Sequence, residues 1–252
     1  MTALLEVDEI HTYYGESHIL QGISFGVEPG QVVGLLGRNG VGKTTTLQSI
    51  LSLPAPRSGA IRLRGGAITG QPTYAIIRAG VGWVPQGHRI FPTLTAAENL
   101  ALAAVHARPG PWNVERVFEL FPRLADRRNA RGGTLSGGEQ QMLAIARALV
   151  QNPDLILMDE PTEGLSPKIV EEVGNVIRNL NAEGCAIFLV EQNLAVALRV
   201  TSHLLVMNKG RIVFSGNPSE LSADEELCRQ YLGVTASGSI AAGTAPVPGR
   251  LN

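Results

Sequence analysis

Gly37-Arg38-Asn39-Gly40-Val41-Gly42-Lys43-Thr44 fits the pattern GxxxxGK[ST] and follows directly on an apolar run, Val32-Val33-Gly34-Leu35-Leu36. A strand, a glycine-rich turn and a helix in that order make a phosphate-binding loop. Glycines let the backbone fold its N–H groups into a nest around a triphosphate, and the helix that follows adds the positive end of its dipole. Lys43 is expected to reach the β- and γ-phosphates and the Thr44 hydroxyl to face Mg2+. The expected phosphate contacts are therefore Gly37, Arg38, Asn39, Gly40, Val41, Gly42, Lys43, Thr44 and Thr45. A Gly-rich turn can match such a pattern by chance, but the flanking strand and helix argue against chance here.

Further along, Leu155-Ile156-Leu157-Met158-Asp159-Glu160 reads as a buried parallel strand ending in two carboxylates, where an open α/β sheet places its ligand chemistry. Paired with a phosphate loop, Asp159 is expected to hold Mg2+ and Glu160 to polarise the water that attacks the γ-phosphate. Between the two stretches lies Leu135-Ser136-Gly137-Gly138-Glu139-Gln140-Gln141, ahead of an apolar-periodic helix. Ser136 and Glu139 can form a capping box. That does not explain Gly137 and Gly138 in the first helical turn, where each costs roughly 1 kcal/mol relative to alanine. Bare N–H groups at a helix start suit a phosphate.

With these residues in view, the chain resembles the ATP-binding subunit of an ABC transporter. The Leu-Ser-Gly-Gly-Glu run carries most of the resemblance, because other phosphate-loop ATPases lack it. The resemblance implies ATP and Mg2+ as cofactors, and a head-to-tail pair of subunits with each ATP between the phosphate loop of one and Ser136, Gly137, Gly138 and Glu139 of the other. It implies that Tyr14 stacks on adenine. It also implies that Gln86, after Trp83-Val84-Pro85, senses the γ-phosphate, ligates the metal with Thr44 and Asp159, and communicates with a membrane subunit. Two positions depart from the family pattern: Ser166 stands where an Asp commonly crosses the dimer, and Gln192 stands where a switch histidine is usual. A glutamine amide can donate a hydrogen bond to the γ-phosphate but cannot become cationic. Lys43, Glu160 and Gln192 are the expected catalytic set.

The Glu191-Gln192-Asn193 variant, with Tyr14-Gly15-Glu16-Ser17-His18-Ile19-Leu20 and Asp159-Glu160-Pro161-Thr162-Glu163-Gly164-Leu165, resembles the smaller ATPase of bacterial hydrophobic amino-acid importers. Urea-importer ATPases are similar too. The resemblance implies a second ATPase subunit, a different chain or, for the chain in isolation, another copy of itself, together with two membrane permease subunits, an external solute-binding protein, and a peripheral place on the cytoplasmic face of the membrane. Branched-chain amino acids are the first expectation for cargo, urea or a short amide the second. A soluble ABC ATPase without transport is disfavoured by the single nucleotide domain and the lack of a coiled-coil insertion. A phosphate-loop kinase would not need the Leu-Ser-Gly-Gly-Glu run.

Composition is compatible with this reading. The 252 residues are 44% hydrophobic, enough for a sizeable core, and a net charge of −1 gives no reason to expect nucleic acid. No stretch approaches the roughly 20 apolar residues that span a bilayer. The N-terminus does not read as an export signal. Cys185, at the head of an apolar strand, is expected to be a reduced core residue.

The fold class expected is α/β: a P-loop NTPase (RecA-like) core with a mainly parallel sheet, an antiparallel β layer and a helical subdomain. Segments at 4–7, 19–27 and 61–63 suggest the antiparallel layer, and buried runs at 32–36, 155–159 and 186–190 alternate with helices. Residues 1–86 and 154–232 would form the nucleotide lobe, and 87–153 the helical subdomain, with helices at 98–105 and 114–127 and breaks at Pro92, Pro109-Gly110-Pro111 and Pro122. The helix from Pro167 should bury Ile169, Val170, Val173, Val176, Ile177 and Leu180. Residues 204–207 and 211–214 should pair as a hairpin, and 233–252 reads as a disordered tail. Ile90 and Phe91, in Gly87-His88-Arg89-Ile90-Phe91-Pro92, either cap the local core or line a groove for a membrane subunit's helix; His88, Arg89 and His203 read as solvated or packed.

Overall fold

Among the described residues the strands form two sheets, one of four strands and one of six. The computed structural model describes residues 3 to 233, so the tail expected to be disordered falls almost wholly outside the described residues. The first sheet is antiparallel, built from β1 (Leu5–Tyr14), β2 (Ser17–Val27), β4 (Ser58–Leu63) and the short β5 (Gly66–Ala67), in the order β2-β1-β4-β5. The second takes β3 (Val32–Leu36), β6 (Val81–Val84), β7 (Leu155–Asp159), β8 (Ala186–Glu191), β9 (His203–Asn208) and β10 (Arg211–Gly216). Its order is β10-β9-β3-β8-β7-β6, parallel throughout except for β10.

Strands β3, β7 and β8 are buried at every position, as expected for a parallel sheet covered on both faces. One face meets the antiparallel sheet across α1 (Lys43–Ile50) and α2 (Thr73–Arg78), with Phe25 stacked on Phe188 at 4.6 Å between ring centres. The other face packs on α6 (Gly137–Leu149) and α7 (Pro167–Ala182), and this core continues into α3 (Ala96–Ala104), α4 (Val114–Leu120) and α5 (Pro122–Asp126). Val173, Val176, Ile177 and Leu180 of α7 are buried, and Ile169 and Val170 pack against the same core. The hairpin turn is Lys209-Gly210, both at positive φ (45° and 75°), the left-handed pair that suits the twist of two-residue hairpins.

Element boundaries differ from the sequence reading where capping and proline decide them. Helix α3 begins two residues earlier than 98, because Thr95 caps it and Glu98 closes the capping box. The stretch 114–127 is two helices: Phe121 sits at φ −121°, ψ 71°, the extended bias of a residue before proline. Strand β6 had no counterpart in the sequence reading; it is only four residues long and lies at the sheet edge.

Candidate nucleotide site

Strands β3, β8, β7 and β6 are consecutive in the sheet and run the same way, so the loops leaving their C-terminal ends are neighbours. Those loops carry Gly37 to Gly42, then Gln192, then Glu160, then Gln86. The crevice outside the carboxyl ends of parallel strands is where this class of sheet binds ligands. A side chain at Gly37 would meet the Met207 carbonyl oxygen at 2.6 Å, so only glycine lets the loop leave β3 so close to β9.

Lys43 is nearly fully buried, and its ammonium donates to the carbonyl oxygens of Gly37 at 2.9 Å and Arg38 at 3.1 Å. The same ammonium lies 3.1 Å from a carboxylate oxygen of Glu160. The cation is therefore held at the mouth of the loop by its own backbone. Glu160 has φ 47°, in a region costing an ordinary residue about 1–3 kcal/mol, and its N–H donates to the Val190 carbonyl at 2.9 Å. Strained residues of this kind cluster where function demands a fixed side chain. In the sequence Glu160 is marked by its place at the end of an apolar strand, and nothing there signals its backbone conformation.

The Thr44 hydroxyl donates to Asp159 at 3.2 Å. These are hard oxygen donors, the kind Mg2+ takes. Asp159 is only 3% exposed, and burial pushes its carboxyl up to about 6 against the opposing Thr44 hydrogen bond; nearby Glu160 raises it further. A buried carboxyl held reluctant to ionise is well matched to a divalent cation, whose charge would offset the lost solvation. Gln86 donates its amide to Glu163 at 2.7 Å and to Glu160 at 3.3 Å. Glu163 is a neighbour that the sequence reading did not single out. It lines the phosphate-loop cleft with Tyr14, Asn39, Lys43, Thr44 and Gln86, a cavity of about 360 Å3.

Tyr14 is 48% exposed at the end of β1, with its hydroxyl donating to Gln48 of α1 at 2.8 Å. Its position on the cleft leaves an aromatic face available to a planar base. Gln192 is exposed and lines an adjoining cleft of about 350 Å3 together with Glu160 and Glu163. Ser166 is the residue before α7 and makes no side-chain cap.

The Leu-Ser-Gly-Gly-Glu run lies elsewhere. Ser136 caps α6, accepting from the Glu139 N–H at 3.3 Å, while Glu139 accepts from the Ser136 N–H at 2.8 Å. Neither this serine nor Gly137, Gly138 or Glu139 lines the phosphate-loop cleft. Gly137 is exposed, whereas Gly138 is buried, and a side chain on it would meet three carbons of Ile169 at 3.0 Å. Gly138 thus has a packing reason, the approach of α7, that the sequence reading lacked.

The segment after Gln86 also resolves. His88 and Arg89 both have positive φ; His88 pairs with Gln141 of α6 at 2.6 Å, and Arg147 donates to the Arg89 carbonyl at 2.8 Å. Ile90 packs on the core, while Phe91 is 41% exposed under the Arg147 guanidinium, 4.6 Å from its ring centre. Phe91, Tyr74, Leu102, Arg78, His106 and Arg147 line a groove of about 480 Å3.

The fold and this arrangement of loops define an ATP-hydrolysing cassette. The family model described as "ABC transporter" matches residues 20–163, and the chain belongs to that family. It is 41% identical over 232 residues to the high-affinity branched-chain amino acid transport ATP-binding protein BraG of Pseudomonas aeruginosa, covering 91% of this chain and 100% of that protein. It is 40% identical to the Nod factor export ATP-binding protein I of Paraburkholderia xenovorans, covering 90% of this chain and 75% of that protein. Among solved structures, a dimeric bacterial ABC transporter cassette superposes with a TM-score of 0.76 at 27% identity, over 85% of this chain and 98% of that one. The chain is therefore an ABC ATPase that binds and hydrolyses ATP.

Proposed function

We propose that the chain powers import of branched-chain amino acids through an ABC transporter, as its smaller ATPase subunit. The observation that carries this reading is the match to the branched-chain amino acid ATPase along that protein's whole length. The Glu191-Gln192-Asn193 sequence supports it. Among the described residues no helix is long and apolar enough to cross a membrane, so transport requires permease subunits on which the cassette docks. The docking surface is the groove around Phe91, on the cytoplasmic face of the membrane.

In this reading two cassettes close head to tail, this one with a second and different ATPase subunit. Tyr14 holds the base, and residues 37 to 45 hold the phosphates. Thr44, Asp159 and Gln86 would hold Mg2+, which supplies charge neutralisation at the phosphates. Ser136, Gly137 and Gly138 face the partner's γ-phosphate through the start of α6, with Glu139 holding the cap. Glu160 orients and polarises water for attack on the γ-phosphate. Hydrolysis reopens the pair, and His88–Gln141 and Arg147–Arg89 tie the groove to α6, so that docking and closure move together. An external solute-binding protein delivers cargo on the other side.

The test is uptake of labelled leucine and labelled urea in cells carrying Glu160→Gln at the native locus. Selective loss of leucine uptake is expected. Selective loss of urea uptake would transfer the assignment to a urea or short-amide importer, and persistence of both would remove the importer reading.

A further inference from the structure

Glu191 has no part in the roles assigned above. Its carboxylate ends β8, is 2% exposed, and accepts from groups on two different loops. The Thr162 hydroxyl donates to Oε1 at 2.7 Å. The backbone N–H groups of Gln192 and Asn193 donate to Oε2 at 3.0 and 3.1 Å. Thr162 lies two residues beyond Glu160 in the loop leaving β7, and Gln192 opens the loop leaving β8. One carboxylate thus spans the two loops that carry the groups aimed at the γ-phosphate.

Burying a carboxylate without a cation is costly, and none of the salt bridges among the described residues includes Glu191. Burial raises its proton affinity, while the hydrogen bonds from Thr162, Asn193 and Gln192 oppose that. An apolar side chain at the end of β8 would avoid the cost. What it could not do is hold a two-residue turn and a hydroxyl from another loop at once. Hydrogen bonds to an ionised acceptor are roughly twice as strong as neutral ones, which makes the bridge stiff. The Thr162 backbone N–H also bonds to this carboxylate, and the Glu160 N–H donates to the Val190 carbonyl of β8 at 2.9 Å.

We propose that Glu191 is a positioning residue for hydrolysis, whose carboxylate fixes the Gln192 loop against the Glu160 loop through Thr162. The proposal rests on the reading of Glu160 and Gln192 as the groups that act at the γ-phosphate. It separates binding from turnover. Tyr14 and residues 37 to 45 belong to other elements, so loosening this bridge leaves ATP binding in place and disturbs the geometry of attack. Misplacement of a catalytic group by about 1 Å can cost about 100-fold in rate.

The variants differ in what they break. Glu191→Ala removes the bridge and leaves two N–H groups without their acceptor. Glu191→Gln can keep it: the amide oxygen accepts from both N–H groups, and the amide nitrogen donates to the Thr162 hydroxyl, which can also accept. Thr162→Val removes the hydroxyl's bond across the loops and keeps the Thr162 backbone N–H and the turn at Gln192 and Asn193. In the complex purified with its native partners, Glu191→Ala should lower kcat for ATP by about tenfold or more, with KM changed by less than about twofold. Thr162→Val should lower kcat by about three- to tenfold, Glu191→Gln should stay within about threefold of the parent, and the Glu191→Ala/Thr162→Val pair should be no slower than Glu191→Ala alone.

Thr162→Val with native melting behaviour is independent of Glu191→Ala, so it keeps the test open if Glu191→Ala fails to fold. Parent kcat in Thr162→Val, a folded Glu191→Gln as slow as Glu191→Ala, or a rise in KM with unchanged kcat would each overturn the proposal. Glu160→Gln run alongside separates the two layers: if it hydrolyses ATP at the parent rate, the reading of Glu160 fails on its own account.

Discussion

Gly137 and Gly138 sit side by side at the start of α6, yet an added methyl group should have opposite consequences for stability at the two. At Gly137 the nearest atom to a new Cβ, outside the local helix, is Leu165 Cδ2 at 3.9 Å, an ordinary contact. Gly137→Ala should therefore gain helix propensity, up to about 1 kcal/mol and less if the first-turn position dilutes it. At Gly138 the Cβ would press on three Ile169 carbons at 3.0 Å, and overpacking of this kind costs roughly 1–3 kcal/mol, enough to cancel the propensity gain or exceed it. Function should follow a different order. If the N–H of the exposed Gly137 approaches a partner's γ-phosphate, a methyl group there holds the phosphate off a charge-assisted hydrogen bond worth about 1.5–3 kcal/mol, or roughly 10- to 150-fold in turnover. Urea denaturation of the isolated chain and ATP turnover of the assembled complex read the two effects separately. Gly137→Ala should be as stable as the parent or more so, and slower by at least about tenfold. Parent turnover in a stabilised Gly137→Ala would refute the phosphate role and leave only capping and packing to explain the run.

Phe91→Glu should abolish uptake while the ATPase of the isolated chain stays within about twofold of the parent, because the new carboxylate lies beside Arg147 and leaves the core intact; uptake at the parent level would remove the docking groove. Gln192→His should speed ATP turnover of the assembled complex if this chain's own phosphate-loop site is the slower of the two, and an unchanged rate would end that idea. Asp159 binds its proton more tightly when folded, at about 6 against an ordinary 3.8. The native state therefore holds more protons than the unfolded state between those values. Stability of the metal-free chain should fall as pH rises through this window, by no more than about 3 kcal/mol. Denaturation midpoints at pH 4.5 and 7.5 should show a steeper decline in the parent than in Asp159→Asn, and parallel declines would contradict the burial argument.

How much of this was legible beforehand depended on whether a residue's role lies in local pattern or in tertiary proximity. The phosphate loop, the Asp159-Glu160 strand end and the capped start of α6 are contiguous, and each announces itself by a period or a spacing. The parallel sheet could be read for the same reason, since β3, β7 and β8 are short apolar runs separated by helices. What stayed hidden involves partners far apart in the chain. Gly138 faces Ile169, 31 positions away, and nothing in the spacing of either residue indicates the other. Gln86 reaches Glu163 across 77 positions and Thr162 reaches Glu191 across 29, pairings that exist only because β6, β7 and β8 are neighbours. Strand order is the missing intermediate: a sequence in which β7 bordered β3 directly would carry the same motifs and would not bring Glu191 to Thr162. The left-handed backbone of Glu160 is hidden for a further reason, because nothing in the side chain of a glutamate asks for φ 47°. That conformation is imposed by its neighbours, including the Val190 carbonyl that holds its N–H. The backbone of Glu160 is thus set in place by the strand that ends in Glu191, and its conformation belongs to the pair of strands rather than to either motif.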